Sequence, residues 1–362
     1  MNAFGRRFDP AQPDVLPELR ALMVDAARLD PESAAPVIAR ASLRLRELFR
    51  TTQPVVIHPG SAAALREIGL RSAVEHRVLA LVGGAGGEAL ADQAEALGKE
   101  VLRLCVHPGR SVEPAHLRRF LAGPEVDSVM LVHAEMTTGS MAPLADLVPL
   151  VRARRDMMLF VDASTSLGAS RLETEQWGLD FVVAPSEGPL GLPAGLAFAT
   201  ASPRLLARAR TISGRGTQLD FVAHHAAAAR GETLAPVSPA LAAVLERQLE
   251  RILDVEGLPA RWSRHGSMRS MVEAWAAGRN IRLFAAEARR ADALTTIVLG
   301  ASRRSAATAA ALAAEGWRVG VAEGGTGGEL LRIGHAGDLQ PSHLQGLLEA
   351  LGRVLGDARN EG

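Results

Sequence analysis

Met157-Met158-Leu159-Phe160-Val161-Asp162-Ala163-Ser164-Thr165-Ser166-Leu167-Gly168 is the stretch on which the fold turns. Its first five residues are apolar without interruption, and they end on an aspartate followed by small hydroxyl residues. An unbroken apolar run of this length reads as a strand buried on both faces, the habit of parallel sheets covered by helices. Asp162 then stands at the carboxyl end of that strand, the edge at which open α/β sheets bind ligands.

Outward from this strand the pattern repeats. Short apolar runs at 55–57, 78–82, 101–106, 128–132 and 181–183 alternate with helix-like stretches at 61–70, 85–97, 113–121 and 143–154. That rhythm predicts crossover units and a mainly parallel sheet with helices on both faces. Residues 195–200 add a further strand candidate, with an antiparallel placement open. After about residue 235 two helical stretches, 239–255 and 258–278, follow one another directly. Strand candidates at 296–298, 317–321 and 330–333 and helices at 304–314 and 342–355 complete the chain. The expected organisation is an N-terminal segment (1–20), a large α/β domain (21–240) and a small C-terminal α+β domain (241–362).

The 362 residues carry 40 basic and 40 acidic side chains, so there is no net field to hold nucleic acid or an anionic membrane. No apolar run reaches the roughly 20 residues that span a bilayer. A lone cysteine, Cys105, excludes an intrachain disulfide and a cysteine-built metal site, and no other metal-ligand spacing stands out. Met1 to Arg7 lack the apolar core of a secretory signal, and the expectation is a cytoplasmic protein. The chain has no tyrosine and a single lysine, Lys99. Any chemistry that needs an amine nucleophile must use Lys99 or do without.

Three segments together carry a resemblance. His133-Ala134-Glu135-Met136-Thr137-Thr138-Gly139-Ser140 is the first; the second runs from Phe160 to Gly168, then through Gln176-Trp177-Gly178-Leu179-Asp180-Phe181 to Pro193-Ala194-Gly195-Leu196. The third is Arg261-Trp262-Ser263-Arg264-His265 with Leu331-Arg332-Ile333-Gly334-His335-Ala336-Gly337. In this order and spacing they resemble the class V aminotransferases, fold type I pyridoxal-phosphate enzymes of the alanine–glyoxylate and serine–pyruvate kind. The resemblance implies a three-layer sandwich around a mainly parallel sheet, a small C-terminal α+β domain and a homodimer. It implies that Asp162 pairs with the protonated pyridine nitrogen of the coenzyme. It places the phosphate at Gly60, Ser61 and Ala62, where a strand gives way to a helix start. Thr137, Ser164, Ser186 and Thr233 join the cofactor set, and Arg332 is implied to grip a substrate carboxylate as a bidentate fork.

The same alignment exposes a break. The family's Schiff-base lysine follows the strand at 181–183, and there the chain reads Ala184-Pro185-Ser186-Glu187-Gly188-Pro189-Leu190-Gly191. Gly188 stands where the lysine is required and has no side chain with which to form an imine. Lys99 lies before a strand start, on the sheet edge opposite the ligand crevice. The loop Gly83-Gly84-Ala85-Gly86-Gly87 lacks the aromatic that members stack on the coenzyme ring, and Met136 replaces a hydroxyl residue.

The functional expectation is therefore a class V aminotransferase-like protein without a covalent coenzyme anchor. It would not be an ordinary transaminase, and it would retain a pocket for a small carboxylate or phosphate. Glu187 is the one candidate carboxylate base. The alternative keeps an aminotransferase, acting on a small amino acid and 2-oxo acid pair with pyridoxal or pyridoxamine phosphate held noncovalently. Gly84 to Ala89 also imitates a dinucleotide fingerprint, but no acidic residue ends the next strand. His224-His225 reads as a solvated surface pair.

Overall fold

The computed structural model describes residues 6–10, 14–299, 305–322 and 329–356. Among them are two sheets. The larger has seven strands, β2 (Val55–Pro59), β3 (Arg77–Val82), β4 (Glu100–Cys105), β5 (Ser128–Val132), β6 (Met158–Asp162), β7 (Phe181–Pro185) and β8 (Leu196–Ala201), in the order β2-β8-β7-β6-β5-β3-β4. The five strands from β4 to β7 in that order run parallel, whereas β8 is antiparallel to both β7 and β2. Every residue of β6, β7 and β8 is buried, which is why these runs carry no polar alternation.

Helices cover both faces of the large sheet. On one face Ala62–Ala73 presents Ala62, Leu65, Ile68 and Gly69 inward. A β-carbon on Gly69 would come within 2.4 Å of the Phe181 ring, so the helix approaches the sheet only because that position is bare. Phe181 stacks on Phe160 with ring centres 4.7 Å apart and meets Phe221 edge-on at 5.0 Å. On the other face Ala34–Phe49 and Pro239–Glu250 pack Ile38, Leu45, Phe49 and Leu245 into a second core.

The smaller sheet has the order β1-β11-β12-β10-β9, with β9 (Arg282–Leu283), β10 (Leu294–Val298), β11 (Trp317–Ala322) and β12 (Leu330–Gly334). Its first strand, β1 (Arg6–Phe8), comes from the chain's beginning and pairs parallel with β11, with Phe8 opposite Val319. Helices Leu258–Ala277 and Pro341–Leu355 bury Met268, Val272, Leu344, Leu347 and Leu351 against this sheet. The seven strands anticipated for the large sheet are all present. Helices Pro203–Thr211 and Phe221–Ala229 are additional to those anticipated, each opened by a side chain, Ser202 or Asp220, that accepts the backbone N–H of Leu205 or Val222. No helix among the described residues is long and apolar enough to cross a membrane.

Candidate functional site

A cavity of about 300 Å³ opens where β5, β6 and β7 end. Val132, Asp162 and Pro185 from the strand ends form its floor; Ser61, Ala62 and Arg66 from one helix, and Ser164, Glu187 and Gly188 from the loops, complete most of its wall. This is the edge at which an open parallel sheet offers a crevice. Pro10, just beyond β1, closes one side. A roomier groove of about 790 Å³ runs beside β4 and the helix Pro114–Leu121, away from all of these residues.

Asp162 is 2% exposed and both of its oxygens are engaged. Oδ2 accepts from Arg66 Nη1 at 2.6 Å, and Oδ1 accepts the Ser164 N–H at 2.8 Å. A buried carboxylate is costly without a countercharge, and Arg66 supplies it from within the chain. Arg66 also donates from Nε to Gln93 Oε1 at 3.3 Å. The sequence reading passed over Arg66. Its signal is a basic residue at i+4 from Ala62 and three before Gly69, flanking the helix's buried face rather than opposing it.

Of the implied phosphate group, Ser61 and Ala62 line the cavity, while Gly60 precedes them at φ +137° with its N–H on Gly195 O. Ser61 caps the helix by accepting the Ala64 N–H at 3.4 Å. Ser61→Ala should cost about 1 kcal/mol in chemical denaturation. Ser164 lines the cavity with an Oγ that has no hydrogen-bond partner. Ser186 is committed elsewhere: its Oγ donates to Pro193 O at 2.7 Å and accepts the Leu196 N–H. Thr137 packs against Gly84, and Thr233 lies beyond helix Phe221–Ala229; neither is among the cavity-lining residues.

Arg332, in the middle of β12, also lies outside that lining. It is half-buried, and burial lowers its pKa, while the negative charge of Asp9 works the other way. A β-carbon on Gly320 would stand 3.0 Å from both Arg332 Nε and Asp9 Oδ1, so the two side chains share one small space. Arg332 Nη2 donates to Val321 O at 3.0 Å. The arginine implied as a carboxylate grip thus faces a carboxylate of its own chain.

Gly188 adopts φ +79°, and a β-carbon there would lie 3.3 Å from Ser164 O. In this backbone the position suits glycine and strains any other residue by about 1–2 kcal/mol. Lys99 sits immediately before β4, where its Nζ donates to Glu75 O at 3.2 Å ahead of β3. It is therefore at the amino edge of parallel strands whose carboxyl edge forms the cavity, on the order of 20 Å away along a six-residue strand.

Glu135 was read only as part of a motif. Its carboxylate accepts the N–H groups of Gly86 (3.1 Å) and Gly87 (2.7 Å) and so fills the start of helix Ala85–Ala96. Burial raises its pKa, the two N–H groups oppose that, and the Asp162 charge adds to it. The fingerprint-like glycines therefore hold an internal carboxylate at the place where a dinucleotide's phosphates would go. The histidine pair needs correction. His224 is 2% exposed, its Nε2 is 2.9 Å from Gln218 O, and its ring meets His58 edge-on at 5.2 Å. It is a packed residue, with Nε2 paired to the Gln218 carbonyl and its ring set against that of His58. No group of three or more metal-ligating side chains occurs among the described residues.

Comparison with known proteins matches residues 78–315 to the aminotransferase class-V family. The soluble hydrogenase small subunit of a Synechococcus strain is 26% identical over 330 residues, covering 89% of this chain and 85% of that one. Pyridoxamine–pyruvate transaminase of Mesorhizobium japonicum is 28% identical over 319 residues, covering 85% and 80%. In space, the crystal structure of pyridoxamine–pyruvate aminotransferase from Mesorhizobium loti superposes with a TM-score of 0.90 at 23% identity, over 98% of this chain and 93% of that one. That likeness speaks for the fold type I architecture expected from the sequence. Matched over most of its length and built on the same sheet, the chain belongs to the class-V aminotransferase family.

Proposed function

We propose that this class-V member does not run ordinary transamination and uses its cavity to hold a small carboxylate or phosphate. One observation carries the proposal: the chain's single lysine is at the wrong edge of the sheet, bonded to Glu75 O, and the position facing the cavity is Gly188. The family's coenzyme is pyridoxal phosphate, and the residues around this cavity do not fit its covalently held form. They offer no amine, no aromatic face in the loop 83–87, and an Asp162 already bonded twice. The orphan N–H groups at the start of helix Ala62–Ala73 and the open Ser164 Oγ favour an anion instead.

A positioned acid–base amine contributes about 10²–10⁴-fold to proton transfer, so its absence should be plain in a rate. Purified protein given pyridoxal phosphate, alanine and glyoxylate should turn over no faster than pyridoxal phosphate alone. Borohydride treatment followed by peptide mass spectrometry should find Lys99 unmodified. Turnover at an aminotransferase's ordinary rate, or a reduced coenzyme adduct on Lys99, would overturn the proposal. Slow turnover just above the blank would instead favour noncovalent coenzyme use.

A further inference from the structure

We propose that Arg66 sets the ligand class of the cavity: by holding Asp162 it occupies the place of any ligand cation and so shuts out a protonated pyridine ring. This rests on the preceding reading of the cavity and goes one step further, to the side chain that enforces it. The two groups meet at 2.6 Å, with Asp162 buried and the Arg66 side chain 23% exposed along the cavity wall. The other Asp162 oxygen takes the Ser164 N–H, so both oxygens are already engaged within the chain. A ligand cation at this point would have to displace a guanidinium tethered on the same rigid helix, or share a low-dielectric space with it. Either route disfavours a pyridinium and leaves a neutral or anionic ligand unopposed. Among the described residues Arg66 Nη2 has no hydrogen-bond partner, so the same guanidinium keeps a donor for such a ligand.

Pyridoxamine 5′-phosphate is the discriminating probe, because it carries the pyridinium and the phosphate but no aldehyde. It cannot form an imine, so its binding is blind to whether Lys99 reacts; failure here and failure of the preceding proposal are separate results. Titrated by fluorescence or calorimetry, the wild-type protein should bind it no tighter than the millimolar range. Arg66→Ala, which exposes Asp162, should bind it at least tenfold more tightly. Arg66→Gln keeps an N–H donor on a similar stem and should show the same gain if the alanine variant fails to fold. The double variant Arg66→Gln/Asp162→Asn removes both charges and should lose the gain. Micromolar binding by the wild type, no gain in a folded Arg66 variant, or an undiminished gain in the double variant would each overturn the proposal.

Discussion

Acidification from pH 7 towards pH 4.5 should unfold the protein. His133 and His335 are fully enclosed, and burial holds their pKa values at about 4 and about 3. Both are neutral in the folded chain, with His133 Nδ1 2.8 Å from Ser166 Oγ and His335 Nε2 2.9 Å from Thr295 Oγ1. His265 is driven in the same direction by burial and then by Arg261 and Arg264, against the pull of the carbonyls of Gly337 and Ala169. Once unfolded, each imidazole takes a proton near pH 6.5. The sign follows from linkage: a depressed folded pKa gives stability that is fully present above pH 6.5 and is lost as pH falls towards the folded value. Three such groups remove about 4 kcal/mol per pH unit below that point, which is comparable within two units to the whole stability of a domain. Glu135 and Asp292 act in the opposite sense, because burial raises their pKa values and protonation relieves the folded state. Circular dichroism melts at half-unit pH intervals should show the midpoint falling steeply between pH 6 and 5. A flat profile across that interval would mean that these rings are not buried as described.

Arg261→Ala should cost about 3–5 kcal/mol, the range for removing one partner of a buried ion pair. Arg261 is fully buried on helix Leu258–Ala277. Its Nη1 donates to Glu256 Oε2 at 2.7 Å and Asp338 Oδ1 at 3.2 Å, and its Nη2 donates to Pro189 O at 2.9 Å. Pro189 lies in the turn Gly188–Leu190, so this one guanidinium ties the cavity's loop to the long helix Leu258–Ala277. Gln248 adds a parallel tie, donating from Nε2 to Leu190 O and to Asp338 Oδ2, both at 2.7 Å. Urea unfolding of Arg261→Ala should show a lower midpoint at an unchanged slope. Arg261→Lys should recover only part of the loss, because an ammonium cannot reach three acceptors in a fixed fork. A shift below 1 kcal/mol in the alanine variant would show that the network is not supporting the loop.

The parallel sheet was legible because its strands are buried on both faces, and an apolar run without alternation has few other solutions. Asp162 was legible for a related reason: a polar residue ending such a run must sit at the sheet's edge. The partner of Asp162 was not. Arg66 is 96 positions away, and its place flanking its helix's buried face does not by itself single out Asp162 as its partner. β1 was missed as well, since Arg6-Arg7-Phe8 is too short and too charged to show a period and becomes a strand only because β11 supplies an edge. His224 was misplaced because the ring it meets edge-on, His58, comes from a distant part of the chain.

The pairing of β1 with β11 joins residues 6–8 to residues 317–319, almost the full span of the chain. During synthesis β1 emerges long before its hydrogen-bonding partner β11. The large sheet, closed by residue 201, can consolidate in the meantime. Pro10 lies two residues beyond β1 and forms one wall of the cavity, so that wall is set only once β11 has been made, and a nascent chain cannot complete the pocket before then.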